Sequence, residues 1–121
     1  MATFTQGAQV LGTAQTGNVN TAIGQYVAAS DAARPAAIVI TSTVGATPTV
    51  TADIRGSVDG TNWYNVPYSL VASPTTYATS SITITTATTT VYQLQGAQAW
   101  QYVRVEYTNN VNVSLTTTLY A

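Results

Sequence analysis

Three side chains that carry much of protein chemistry are missing from this chain: it has no cysteine, no histidine and no lysine. Without cysteine there is no disulfide, thiolate metal site or thiol nucleophile. Without histidine the commonest general base and the commonest metal ligand go together. Charge of either sign is scarce, at 6% of residues where an ordinary soluble domain carries roughly a quarter. Three arginines against four acids give a formal net charge of −1, too little positive charge to neutralise a nucleic-acid backbone. No Gly-rich turn opens a helix to cradle a phosphate. No run approaches the ~18 apolar residues of a membrane span, and Met1–Gln6 lacks the basic flank and apolar core of a signal peptide. These absences leave no catalytic, cofactor-binding or metal site to expect.

What fills the space is neutral polarity. Threonine makes up about a fifth of the 121 residues, while hydrophobic residues reach 45%. With a mean hydropathy of +0.14, the chain carries more apolar surface than a lone domain hides comfortably, and too little charge to keep copies apart. That combination predicts a non-enzymatic subunit held by identical or related neighbours.

The central stretch runs from Thr49 to Pro67. Val50, Ala52, Ile54, Gly56 and Val58 share one parity and Thr51, Asp53, Arg55 and Ser57 the other, the alternation of a strand with one buried face. Asp59-Gly60 supplies a tight turn, with positive φ tolerated by Asp and natural to Gly. Trp63 then opens the return strand and is expected in the core.

Residues 1–24, punctuated by glycines at 7, 12, 17 and 24, read as an extended arm or loosely held edge with Val10 and Leu11 as docking points. Residues 25–121 read as a single β domain. Tyr26–Arg34 has the alanines of a short helical turn that Pro35 would end. Ala36–Val44 is a strand, and its consecutive Ile38, Val39 and Ile40 predict a central position. Gly45–Pro48 is expected to turn the chain. Tyr68–Tyr77, broken by Pro74, reads as an apolar loop, either a lid on the core or an interface. Ser81–Thr86 and Thr89–Gln95 are strands. Gln101–Tyr107 places Val103, Val105 and Tyr107 on one face and Tyr102, Arg104 and Glu106 on the other. Asn109-Asn110 is expected to reverse the chain into a last strand with Val111, Val113, Leu115 and Leu119 inward, pairing antiparallel with Gln101–Tyr107. Six to eight short strands without a convincing helix predict an antiparallel β-sandwich or jelly-roll-like barrel.

The charged residues fit a structural role first. Arg104 with Glu106, and Arg55 with Asp53, share faces and read as ion pairs that fix register. A glycosidase-type carboxylate pair drawn from Asp53, Asp59 and Glu106 is disfavoured because Asp59 is used by its turn. Trp100, Tyr102 and Tyr68 are candidate interface aromatics, suited to a protein contact or to stacking a sugar.

Gly56-Ser57-Val58-Asp59-Gly60-Thr61-Asn62-Trp63 resembles a G-S-x-D-G-x-x-W hairpin of small β-sandwich structural proteins of tailed bacteriophages, the capsid decoration or cement proteins and related tail modules. Trp100-Gln101-Tyr102-Val103-Arg104-Val105 is similar to the aromatic-plus-V-R-V strand that follows in them. A comparable S-x-D-G-x-x-W turn occurs in discoidin-like carbohydrate- and lipid-binding domains. The phage resemblance implies a virion structural protein, a homotrimer by analogy. Its partners would be the major capsid protein or other virion subunits, its place the capsid surface, and its origin the host cytoplasm. A carbohydrate-binding adhesin or tail module and a self-polymerising fibre subunit are the alternatives.

Overall fold

The computed structural model describes residues 8–25, 36–95 and 100–120. The expected turn of helix at 26–34 and residues 1–7 of the expected arm therefore lie outside the described residues. The described chain is all-β, with strands β1 (Ala8–Gln15), β2 (Val19–Asn20), β3 (Gly24–Gln25), β4 (Ala37–Ser57), β5 (Tyr64–Asn65), β6 (Tyr68–Leu70), β7 (Ser73–Ala78), β8 (Ile82–Ile84), β9 (Thr88–Leu94) and β10 (Tyr102–Tyr120). They form one antiparallel sheet that is not closed into a barrel.

Two long strands make its spine. β4 and β10 pair along their whole lengths, from Tyr102 opposite Ser57 to Tyr120 opposite Ala37. Short strands flank the spine in sections. β3, β2 and β1 follow one another along the free edge of β10, while β5, β8 and β9 do so along β4. Beyond β9 come β6 and the edge strand β7.

The spine is continuous where the sequence predicts reversals. Gly45–Pro48 and Asn109-Asn110 both lie inside strands, at the level where the register slips between Thr108, Val111 and Val113. Thr47, Asn109 and Asn112 take positive φ there, so the turn-forming residues bend the strands without ending them, as bulges do. The last two segments consequently do not pair with each other; both halves of β10 pair with β4.

The bend folds the sheet over its own inner face. The Tyr107 hydroxyl lies 2.6 Å from the Thr117 hydroxyl, although ten residues of extended strand would span about 33 Å. Inward parity resumes beyond the bend, but Val111, expected inward, sits at the register slip and is exposed. Ile38, Ile40, Val50, Ala52 and Ile54 of β4 join Val103, Val105, Tyr107, Val113, Leu115 and Leu119 of β10 in one buried cluster. The two halves thus cover each other's apolar faces as the layers of a sandwich do.

Residues 8–25, expected as an arm or loose edge, are fixed to this body. Leu11 is buried in the core, and Thr21 exchanges bonds with Val105, its backbone N–H donating to the Val105 carbonyl and its hydroxyl accepting from the Val105 N–H. The segment 68–77, expected as a loop, is the β6–β7 hairpin with Val71-Ala72 as its turn. Pro74 is compatible with a strand because β7 sits at the sheet edge, where a missing N–H breaks no interior ladder.

Candidate functional site

The Gly56–Trp63 hairpin is built around one carboxylate. Asp59 Oδ1 accepts from the backbone N–H groups of Thr61 at 2.8 Å and Asn62 at 2.9 Å and from the Ser57 hydroxyl at 3.0 Å. Oδ2 accepts from the Asn62 side-chain amide at 2.9 Å. These donors, led by the Asn62 and Thr61 backbone amides, hold the Asp59 carboxyl far below the usual carboxylate range. Asp59 therefore acts as an acceptor that organises a six-residue loop between β4 and β5, while Gly60 alone supplies the positive φ, at +80°.

Beside the loop lie the other described charges. On the outer face of β4 and β10, Arg55 stands directly opposite Arg104 and Asp53 opposite Glu106, so the attractive contacts run along the strand and on the diagonal. Arg104 Nη2 reaches Glu106 Oε2 at 2.8 Å and Arg55 Nε reaches Glu106 Oε1 at 3.4 Å, the latter without hydrogen-bond alignment. The expected Arg55–Asp53 pair is replaced by these contacts, and Asp53 instead accepts from the Ser81 hydroxyl. Each such pair contributes up to about 1 kcal/mol and fixes register. The described acids are thus occupied by their neighbours: Asp59 by its loop, Asp53 by Ser81, Glu106 by two arginines. Among the described residues no three His, Cys, Asp or Glu side chains gather as a metal site.

The aromatics divide differently from expectation. Trp63, predicted in the core, is half-buried on the outer face, with the Arg104 guanidinium 4.2 Å from its ring centroid. Trp100 is the indole that packs against the core, over Gly56, where a Cβ would come within 2.7 Å of its ring. Tyr64 lies tilted beside it, 6.1 Å between centroids, and is exposed. Tyr68, a candidate interface residue, is buried, donates its hydroxyl to the Ser80 carbonyl and meets Tyr92 edge-on. Tyr102 lies half-buried beside Gly60. Tyr68, Trp100 and Tyr102 therefore form no common exposed platform.

Of the two N-terminal docking candidates, Leu11 is committed to the core and Val10 is 62% exposed on β1. Further apolar side chains are exposed: Val58 and Tyr64 flank the hairpin loop, Leu70, Val71 and Tyr77 belong to the β6–β7 hairpin, and Ile23, Val44, Val111 and Tyr120 lie elsewhere on the surface. A cleft of about 360 Å³ opens beside that hairpin between Tyr68, Tyr92, Leu70 and Ile82. Parity groups Val58 with the buried face of β4, but it lies just past the strand's end, in the Asp59 loop, where alternation no longer applies.

The geometry defines a class first: an antiparallel sheet bent over itself about two long central strands, with its described ionic groups each engaged by a neighbouring side chain or backbone amide and several apolar residues exposed at turns and edges. A search of solved structures finds that architecture in the crystal structure of SPBc2 prophage-derived protein YomS, with a TM-score of 0.63 over 99% of this chain and 96% of that one, at 6% sequence identity. The likeness is one of fold. A scan of protein families and a sequence search of curated proteins find no match.

Proposed function

We propose that this chain is a non-enzymatic structural subunit of a phage particle, a capsid decoration protein that bridges and stabilises neighbouring shell subunits from the outer surface. The observation that carries the reading is the combination of scarce charge, engaged locally among the described residues, with apolar side chains left in solvent, Val10, Val58, Tyr64, Val71 and Tyr77 each being more than half exposed. Such surface favours contact with neighbours. The shared fold of a prophage-derived protein and the G-S-x-D-G-x-x-W resemblance support the phage setting.

The mechanism is mass action. A protein that binds the assembled lattice better than its separated subunits shifts the equilibrium toward the lattice, and many weak contacts on a repeating surface add avidity without a strong single site. The test is to add purified protein to phage shells lacking it, then measure bound copies and the temperature at which shells release DNA. Saturable binding with a raised release temperature supports the reading; shells that neither bind it nor gain stability refute it.

A further inference from the structure

The bend separates charge from neutral surface. Among the described residues, Asp53, Arg55, Arg104 and Glu106 sit on the outer face of the half formed by the C-terminal part of β4 and the N-terminal part of β10, with Asp59 in the adjoining loop. The outer face of the other half, built from β1, the C-terminal part of β10, the N-terminal part of β4 and β9, carries none among the described residues. The register places Val10 beside Thr118, Thr118 beside Val39 and Val39 beside Val91, a row of β-branched side chains across four strands.

We propose that this uncharged face is where a second copy of the chain docks, sheet face against sheet face about a two-fold axis. The inference deepens the structural-subunit reading and rests on it only in expecting association. Three features point to a copy as the occupant. The face is self-complementary, since turning its described residues onto themselves opposes no like charges and buries no ion, whereas the opposite face would bury two arginines and two acids.

Drying part of it is inexpensive as well, because three of its hydroxyls already have partners. Thr41 and Thr89 bond each other at 3.1 Å, and the Thr116 hydroxyl accepts from the Ala14 N–H at 3.1 Å. The size fits a weak contact between copies. Four strands at ~4.8 Å and six residues at ~3.3 Å give a patch of roughly 19 by 20 Å, about 380 Å² in projection on each copy. That is about half of what a tight interface uses per partner, so the dimer forms reversibly, with Val71 and Tyr120 extending the contact at its margin.

Sedimentation velocity of the full chain over a concentration series tests this. A monomer–dimer equilibrium in the micromolar range or weaker is expected. Val10→Lys and Thr118→Lys, checked for unchanged circular dichroism, each weaken it at least roughly tenfold by placing a charge against its own copy. Thr108→Lys, on the charged half, leaves it unchanged. A monomer at all concentrations, a trimer, or a dimer indifferent to folded Val10→Lys and Thr118→Lys overturns the proposal. If those variants do not fold, amide resonances of the unaltered protein decide: concentration-dependent shifts confined to residues 8–10, 37–41, 89–93 and 116–120 support it, and shifts elsewhere overturn it. A dimer of this kind from a protein that phage shells do not bind sinks the decoration reading and leaves the interface standing; shell binding by a strict monomer does the reverse.

Discussion

Replacing Tyr107 with Phe tests the folded-over spine at the point where its two halves touch. Tyr107 is 1% exposed and Thr117 fully buried, and their hydroxyls meet at 2.6 Å across the core. Tyr107→Phe removes one partner and strands the Thr117 hydroxyl without water, a loss of about 1–3 kcal/mol. For a domain of this size that lowers Tm by roughly 3–12 °C. Adding Thr117→Val removes the stranded group too, so the double variant recovers to within about 1 kcal/mol of the parent, the non-additivity of a direct contact. Urea denaturation followed by far-ultraviolet circular dichroism gives all four corners of the cycle.

The same residue carries an alkaline signature. Burial pushes the Tyr107 hydroxyl well above its ordinary value near 10.0, with its Thr117 bond a smaller opposing effect. The folded state thus holds this proton more tightly than the unfolded chain. Its contribution is complete below pH 10 and is lost as pH rises above it, because the unfolded tyrosine ionises first. Burial raises Tyr92 in the same direction, so Tyr107→Phe reduces the alkaline slope without abolishing it. A Tyr107→Phe variant as stable as the parent, or a double variant whose losses simply add, refutes the contact and with it the doubled-back strand.

Two further perturbations follow from the hairpin. Gly56→Ala puts a methyl group 2.7 Å from both Trp100 and Val66, so it costs about 1–3 kcal/mol by overpacking and shifts tryptophan fluorescence, read in the same denaturation series. Asp59, whose carboxyl is depressed by its loop donors, stabilises the fold above the unfolded carboxylate range and ceases to do so as pH falls through and below it. Tm measured against pH therefore falls in acid, and Asp59→Ala, less stable near neutrality, loses part of that dependence.

Much of the fold is legible in the pattern of residues, and the failures have a common cause. The alternation along 50–56, 103–107 and 113–119 identifies the inward face because sheet side chains alternate regardless of partner. The all-β class follows from the same alternation. Gly45–Pro48 and Asn109-Asn110 were readable as conformationally special but not as bends, since left-handed residues serve reversals and bulges alike. Which one forms depends on β4 and β10 bending at the same level, a property of the pair.

Thr21 and Thr117 look like surface residues and are buried, their hydroxyls satisfied by Val105 and Tyr107. No local pattern announces a partner 84 residues away. The exchange of roles between Trp63 and Trp100 has a similar origin: Gly56 leaves space on the inner face, and Arg104 offers a cation on the outer one. In the candidate site, Asp59 and Gly60 were legible from turn chemistry, whereas Leu11 and Tyr68 were drawn into the core by strands whose pairing partners lie far along the chain.

The most direct test of the structural-subunit account is mass spectrometry of purified phage particles for this polypeptide, with copy number scaled to the major shell protein. The account predicts a fixed ratio that persists through density-gradient purification and disappears when the protein's gene is removed. Particles free of the polypeptide, with the protein left entirely in the lysate, contradict it.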